Sequence, residues 1–283
     1  MASVGTYLSF VRIGHTVFAL PFALTGALLA AWGRPFDWSS LGWILVCMVS
    51  ARSAAMGFNR LVDARFDAEN PRTAGRELPR GALTHRAAGI FVAVWAVVFV
   101  VAAFQISALC GWLSPVALAV VFWYSLAKRY TYYTQAFLGL AMAVAPVGGW
   151  LAAGGRGGWT PWLLGLAIAL WVAGFDIIYA CQDAAVDRAQ GLKSIPVRFG
   201  IAGALTISRV LHAATIGVMA SLALVAPLGP VYLVGVAVVG ALLAYEQSLV
   251  SADDLSGAAL AFDLNGYVGI LYLMTTALSL YVD

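Results

Sequence analysis

The chain has 283 residues, of which 62% are hydrophobic and only 10% are charged, with a formal net charge of +3. Soluble domains carry about 25% charged residues, so this composition excludes a soluble globular protein and favours a polytopic membrane protein. Long apolar runs recur along the whole chain, so the first of them is not interpreted as a removable signal peptide.

Nine apolar stretches are long enough to cross a bilayer, since a spanning helix needs about 20 apolar residues. In chain order the sequence predicts spans at 11–33, 40–61, 86–107, 111–127, 134–153, 161–182, 205–226, 229–249 and 262–281. The boundaries at Gly111 and between Pro227 and Pro230 are weak, so eight and ten spans are alternatives. The predicted fold class is an all-α integral membrane protein, with one transmembrane domain over residues 1–283.

The basic residues indicate the orientation of these spans. With nine spans, the N-terminus and the loops after spans 2, 4, 6 and 8 share one membrane face. Cytoplasmic loops are enriched in Lys and Arg, so this face is predicted to be cytoplasmic, in a multi-pass protein of the cell inner (cytoplasmic) membrane. Thirteen of the sixteen basic residues lie on it: Arg12, Arg60, Arg65, Arg72, Arg76, Arg80, Arg86, Lys128, Arg129, Arg188, Lys193, Arg198 and Arg209.

A first acidic cluster ends span 2 on the same face, where Asn59, Asp63 and Asp67 are spaced by four. Residues four apart share one face of a helix at about 5–6 Å. Charge repulsion, removal from water and the helix dipole all disfavour two carboxylates there. A compensating cation is therefore expected, and Mg²⁺ takes oxygen ligands from one or two carboxylates together with substrate phosphates.

A second acidic cluster ends span 6, and its members are Asp176, Tyr179, Asp183 and Asp187. The separations Asp63 to Asp183 and Asp67 to Asp187 are both 120 residues, which indicates a weak internal repeat. Helical spacing predicts that Asp176, Tyr179 and Asp183 share a face. Each cluster is followed by basic residues, a pattern that predicts a diphosphate bridged to the carboxylates by Mg²⁺.

These residues resemble the UbiA superfamily of intramembrane aromatic prenyltransferases. The resemblance rests on N-x-x-x-D-x-x-x-D followed by R-T-A-G-R-E-L-P-R-G, on D-x-x-Y-A-x-x-D-x-x-x-D, on K-S-I-P-V-R-F-G, and on the Tyr124/Lys128 pair. It implies a nine-transmembrane-helix bundle with a central cavity whose mouth is cytoplasmic. It also implies Mg²⁺-dependent transfer of a polyprenyl group from its diphosphate to an aromatic ring.

The resemblance also implies roles for individual residues. Asn59, Asp63 and Asp67 would bind one Mg²⁺, and Asp183 and Asp187 a second. Asp176, Tyr179 and Lys128 are the candidate catalytic residues, and Asp176 would position or deprotonate the acceptor. From their position in the first predicted span, Arg12 or His15 is the candidate to meet the acceptor's carboxylate. The residues that would bind the diphosphate are Arg72, Arg76, Tyr124, Lys128 and Lys193.

Two further stretches, Y-E-Q-S-L-V at 245–250 and F-D-L-N-G-Y-V-G at 262–269, resemble one branch of the superfamily. It comprises 4-hydroxybenzoate polyprenyltransferase-like enzymes and the enzyme of the futalosine route to menaquinone, although Asp263 stands where its members more often carry an aromatic residue. The resemblance implies quinone biosynthesis, with 4-hydroxybenzoate or a dihydroxynaphthoate as acceptor.

Other acceptors and one other class of protein are alternatives. Haem, chlorophyllide or a glyceryl phosphate lipid could receive the prenyl group. An ion-coupled transporter is less favoured, because transporter sites lie near the bilayer midplane, whereas these acids cluster at one mouth. The expected partners are a polyprenyl diphosphate, an aromatic acid and the lipid bilayer; no nucleic acid is expected.

Overall fold

All regular secondary structure among the described residues is helical. The computed structural model describes residues 3–11, 19–34 and 37–283. Within these ranges the helices are α1 (Val4–Phe10), α2 (Leu20–Ala31), α3 (Trp38–Glu69), α4 (His85–Ile106), α5 (Ala108–Tyr130), α6 (Thr134–Ala152), α7 (Thr160–Cys181), α8 (Ala184–Ala189), α9 (Ile195–Leu222), α10 (Pro230–Ser248) and α11 (Ala258–Val282).

Eight helices of the described chain are long and apolar enough to cross a membrane, and each coincides with a predicted span. The ends differ most in α3, which continues to Glu69 where the prediction ended at 61, and in α9. α9 begins at Ile195, ten residues before the predicted start, because a short helical turn precedes a break at Gly200. Gly200 has φ +71°, a backbone conformation that glycine adopts without steric cost.

The predicted first span is only partly described. α2 lies within it and has 12 residues, which at 1.5 Å per residue covers about 18 Å of the roughly 30 Å hydrocarbon core. Residues 12–18, which precede it, are outside the described residues. The total of nine spans therefore stays a prediction.

The long helices expose apolar side chains in a way that suits a lipid environment. On α4 the side chains of Ile90, Val94, Val97 and Val101 are 57%, 53%, 61% and 53% exposed. Their spacing places them on one stripe of the helix. An exposed stripe of β-branched apolar side chains disfavours contact with water, so this face of α4 is suited to lipid.

The chain divides into two compact units. The first comprises Met1–Thr16 and Trp38–Ala127, and the second comprises Val17–Asp37 and Lys128–Asp283. In the first unit, Phe10 of α1 is fully buried beside Leu78 and Leu83 of the loop after α3. Tyr7 stacks on Phe91 of α4, with ring centroids 5.3 Å apart. α1 is thus anchored to the loop and to α4.

The second unit has an aromatic core centred on α7. Trp171 is fully buried, and its ring centroid lies 4.9 Å from that of Phe22 on α2. Tyr232 of α10 and Tyr272 of α11 share a hydrogen bond of 2.8 Å between their hydroxyls, and Tyr232 also donates to the Met219 carbonyl at 2.7 Å. Buried hydroxyls are therefore bonded across three helices.

α2 and α6 approach each other closely through two glycines. A Cβ at Gly26 would overlap the Pro146 carbonyl, and a Cβ at Gly149 would overlap the Ala23 carbonyl. Small residues at helix interfaces let membrane helices pack backbone to backbone. The α2–α6 contact therefore depends on the absence of side chains at both positions.

Replacing Gly149 by alanine should destabilise the second unit, by about 1–3 kcal/mol as in other overpacked cores. The neighbouring variant Gly148→Ala is the matched control, since a Cβ at Gly148 meets nothing within 4 Å. The thermal unfolding midpoint of detergent-solubilised protein measures the effect. Because both changes raise helix propensity equally, equal midpoints for the two variants would contradict the close approach.

Candidate active site

The first carboxylate set lies at the end of α3, which continues unbroken to Glu69. Asp63 and Asp67 are 3% and 6% exposed, so both carboxylates are buried. Asn59, one turn earlier, donates from Nδ2 to Asp63 Oδ2 at 3.2 Å. The predicted spacing by four therefore produces one continuous polar face on α3, as the sequence indicated.

The loop after α3 folds back over this face and brings a cation to it. Arg76 Nη1 lies 2.6 Å from Asp67 Oδ1 and 2.8 Å from Oδ2. Thr73 Oγ1 donates to the Asp67 carbonyl at 3.0 Å. Arg72 is exposed, and its backbone N–H donates to Asn70 Oδ1 at 2.9 Å. Of the two predicted diphosphate ligands in this loop, Arg76 is thus held at the carboxylates, while Arg72 lies on the surface of the loop.

Arg52, in the first unit, has no role among those predicted from the sequence. It lies within α3, about two turns before Asn59, and its Nε is buried without a hydrogen-bond partner among the described residues. The side chain of Tyr124 on α5 is within electrostatic range of its guanidinium. A charged group within a membrane span is energetically costly and usually marks a functional site. The position of Arg52 inside the second predicted span was therefore the sequence signal that it has a role.

The second carboxylate set lies where α7 ends. The sequence predicts that Asp176, Tyr179 and Asp183 share one helix face, and the structure places Asp176 and Tyr179 on α7. α7 ends at Cys181, and Asp183 is the residue before the short α8, which carries Asp187. Asp176 lies within electrostatic range of both Asp183 and Asp187, all three in the second unit.

Two predicted phosphate ligands come together in the second unit. The Lys193 backbone N–H donates to the Lys128 carbonyl at 2.7 Å, and Lys193 Nζ donates to the Tyr130 carbonyl at 3.1 Å. Lys128 lies in the last turn of α5, one turn after Tyr124. Residues separated by 65 positions in the sequence are thereby placed side by side.

Tyr179, the remaining predicted catalytic residue, contacts an aromatic side chain of α11. Phe262 of α11 lies 4.9 Å from Tyr179 and 5.8 Å from Phe175, measured between ring centroids. Phe175 in turn lies 5.1 Å from Trp171. The residues at 171, 175 and 179 follow one face of α7, so α11 packs along that face.

Arg12 and His15, the predicted acceptor ligands, lie outside the described residues. The described residues can still be tested as metal donors. Among them, no group of three or more His, Cys, Asp or Glu side chains converges closely enough to hold a metal ion by itself. The first set nevertheless offers two buried carboxylates and an amide, oxygen donors that suit Mg²⁺ when phosphates complete its coordination shell.

Comparisons with known proteins agree with the motifs. Residues 19–273 match the UbiA prenyltransferase family. The 4-hydroxybenzoate octaprenyltransferases of Citrobacter koseri and Salmonella paratyphi C are both 33% identical to the chain, over 242 and 245 residues. In both cases the match covers 84% of this chain and 83% of the relative.

Solved structures have the same fold. A UbiA homologue from Aeropyrum pernix K1 has a TM-score of 0.84 and 33% identity, and covers 93% of this chain and 97% of its own. A UbiA homologue from Archaeoglobus fulgidus bound to GPP and Mg²⁺ has a TM-score of 0.73 at 19% identity, with 98% and 100% covered; this second likeness shows the fold alone.

The family match covers most of the chain, and the two octaprenyltransferases exceed 30% identity over most of their length. The eight apolar helices of spanning length agree with a multi-pass membrane protein. The chain therefore belongs to the UbiA prenyltransferase family and is a membrane-embedded prenyltransferase.

Proposed function

We propose that the protein transfers a polyprenyl group from polyprenyl diphosphate to an aromatic acid, with Mg²⁺ as cofactor, in the synthesis of a quinone. The observation that carries this proposal is the pair of buried carboxylates, Asp63 and Asp67, held beside Arg76 in an otherwise apolar helical chain. The named function of the 33%-identical relatives supports an aromatic acid such as 4-hydroxybenzoate. A dihydroxynaphthoate is the other acceptor of the same class.

Asn59, Asp63 and Asp67 would hold one Mg²⁺, and Asp183 and Asp187 a second. The Archaeoglobus fulgidus homologue bound to GPP and Mg²⁺ supports a divalent cation for this fold. Mg²⁺ bound there would neutralise the negative charge that develops on the departing diphosphate.

Arg76 is suited to connect the carboxylates to the substrate. Only its Nη1 is engaged with Asp67, and a guanidinium carries five N–H donors in a planar fork. Nε and Nη2 can therefore bind a phosphate oxygen while Nη1 holds Asp67. The further proposed diphosphate ligands are Arg72, Tyr124, Lys128 and Lys193, of which the two lysines lie side by side.

The acceptor requires a cation for its carboxylate and a base for its ring proton. We assign the carboxylate to Arg52, whose buried Nε has no described partner, with Arg12 or His15 as further candidates. When the C–O bond of the prenyl diphosphate breaks, the ring carbon attacks the allylic cation. Asp176 then takes the ring proton, assisted by Tyr179 in orienting the ring.

We also propose the arrangement in the membrane. Residues 11–33 would form the first of nine spans, so that α2 is the described part of that span. The family match over 19–273 supports a single prenyltransferase domain. The distribution of Lys and Arg supports a location in the cytoplasmic membrane with the carboxylate sets on the cytoplasmic side.

Two alternatives have weaker support. A different acceptor, such as haem, chlorophyllide or a glyceryl phosphate lipid, would use the same diphosphate chemistry. The Digeranylgeranylglyceryl phosphate synthase structure shares the fold, but at 18% identity. An ion-coupled transporter would not explain basic residues bonded at the carboxylates, as Arg76 is.

Asp63→Asn should lower prenyl transfer by about 100- to 1,000-fold, the loss expected when one charge-stabilising group is removed from an active site. Asp187→Asn tests the second set in the same way. Asp253→Asn is the matched control, since Asp253 is exposed. Product is measured by mass spectrometry in membranes with equal amounts of protein. Near-normal turnover of Asp63→Asn or Asp187→Asn would contradict the metal-ligand assignment.

Chelation by EDTA should stop the reaction, and added Mg²⁺ should restore it, because two carboxylates and a diphosphate repel each other without a cation. Binding of Mn²⁺, followed by electron paramagnetic resonance in the presence of prenyl diphosphate, gives a readout independent of turnover. Asp63→Asn should weaken this binding, whereas Asp253→Asn should not. Turnover at full rate in excess EDTA would refute the metal requirement.

Arg52→Gln should raise KM for 4-hydroxybenzoate by about 10- to 100-fold, since a hydrogen bond to a charged group contributes about 1.5–3 kcal/mol. The KM for 4-hydroxybenzamide, which lacks the carboxylate, should change much less. Arg209→Gln is the control, because Arg209 is exposed on α9. An equal loss with the acid and the amide would show that Arg52 does not bind the carboxylate.

A further inference from the structure

Two sequence stretches that the proposed mechanism leaves without a role converge on α7. They are Y-E-Q-S on α10 and F-D-L-N on α11. From α11, Asn265 is fully buried, and its Oδ1 accepts a hydrogen bond from Trp171 Nε1 at 2.7 Å. From α10, Gln247 reaches α7 through α9. Both contacts lie within the second unit.

The Gln247 contacts have a defined direction. Gln247 Nε2 lies 2.7 Å from Ser208 Oγ and 3.0 Å from His212 Nδ1, both on α9. An amide nitrogen only donates, so Ser208 and His212 both accept. The hydroxyl hydrogen of Ser208 is then directed to the Gly174 carbonyl of α7, which lies 2.7 Å from Oγ. The result is a hydrogen-bonded chain from α10 through α9 to α7.

The imidazole ring of His212 packs against Gly174. Because Nδ1 accepts from Gln247, the neutral ring carries its proton on Nε2. The ring occupies the space that a side chain at position 174 would need, since a Cβ on Gly174 would overlap Cδ2 and Nε2 of the imidazole. Ser208 and His212 are 0% and 4% exposed. We refer to Ser208, His212 and Gln247 as the Gly174 clamp.

The clamp acts on the turn of α7 that carries Asp176. In a helix, the Gly174 carbonyl also accepts from the N–H of residue 178, so the turn 174–178 has its first carbonyl held by two donors. Glycine is the residue that constrains a helical turn least, and a second donor at that carbonyl limits the rotation of the turn. On a neighbouring face, Phe262 packs against Phe175 and Tyr179.

We propose that Ser208, His212 and Gln247 are positioning residues that orient Asp176 toward the aromatic acceptor through the Gly174 carbonyl. This role rests on the proposed function. It predicts an effect on the acceptor step that exceeds the effect on binding of prenyl diphosphate. A purely structural role would instead lower the thermal midpoint and the active fraction without separating the two substrates.

The first variant is Ser208→Ala, which removes the bond to α7. Thr215→Val is its matched control, because Thr215 is also a fully buried hydroxyl on α9, but its Oγ1 donates to Leu211 of the same helix. Gln247→Met removes the hydrogen bonds that Gln247 donates to Ser208 and His212, and so tests the same connection from α10. For Ser208→Ala and Gln247→Met, we expect kcat/KM for the acceptor to fall about 10- to 100-fold, as for a small misplacement of a reacting group.

A double-mutant cycle tests whether the effect passes through Asp176. In the Asp176→Asn background, Ser208→Ala should cause little further loss in kcat/KM for the acceptor, because residues that act through one group are not additive. The KM for prenyl diphosphate should change by less than about twofold in all clamp variants, since uniform binding is retained. Thermal midpoints are recorded for every protein.

The outcomes separate this inference from the function on which it rests. Wild-type protein that transfers no prenyl group to any aromatic acid would overturn the proposed function and the clamp's role together. Wild-type transfer with Ser208→Ala and Gln247→Met matching Thr215→Val in acceptor kcat/KM would overturn the clamp alone. A full Ser208→Ala loss that persists in the Asp176→Asn background would show that the clamp does not act through Asp176.

Discussion

Burial of carboxylates in an apolar helical chain is the constraint on which the rest of the first unit depends. An ionised group taken out of water costs several kcal/mol unless it is paired and hydrogen-bonded. The Asp67 carboxylate meets this requirement because Arg76 donates to both of its oxygens, while Thr73 bonds the Asp67 backbone carbonyl. The loop after α3 must therefore fold back over the end of the helix. The same loop places Glu77 where Ser9 of α1 donates to it at 2.5 Å, so the position of α1 follows from the same loop.

In the second unit, neutral polar groups also link the helices that pack around the aromatic core. Trp171 with Asn265, and Gln247 with Ser208 and His212, form hydrogen bonds between helices in segments of spanning length. Such bonds contribute about 0.6 kcal/mol on average in membrane proteins. Because each bond is directional, it also constrains how the two helices are oriented. α7 accepts a hydrogen bond from Ser208 of α9 and donates one to Asn265 of α11. This helix carries Asp176 and Tyr179, the residues proposed to act on the acceptor, so its orientation bears on the proposed function.

Local sequence patterns predicted the fold well where one segment decides the outcome. Runs of apolar residues located all eight long helices, because the requirement to span a bilayer acts on each segment separately. The spacing of Asn59, Asp63 and Asp67 predicted one polar face, and α3 is continuous through all three. The same spacing gave no indication that α7 ends at Cys181 and that Asp183 lies just beyond it. Helix ends depend on how the flanking residues satisfy the last backbone groups, and periodicity does not encode those contacts.

The sequence by itself therefore determined the membrane class and the long helices, and it supplied the candidate residues for a cation and a diphosphate. These properties follow from composition and short-range spacing. Only the tertiary structure decided that Arg76 bonds to Asp67, that Arg52 has a buried Nε without a described partner, and that Gln247 reaches α7 through Ser208. The physical reason is that partners in such contacts come from different segments. Their pairing is set by helix packing, which brings together side chains that the sequence holds apart.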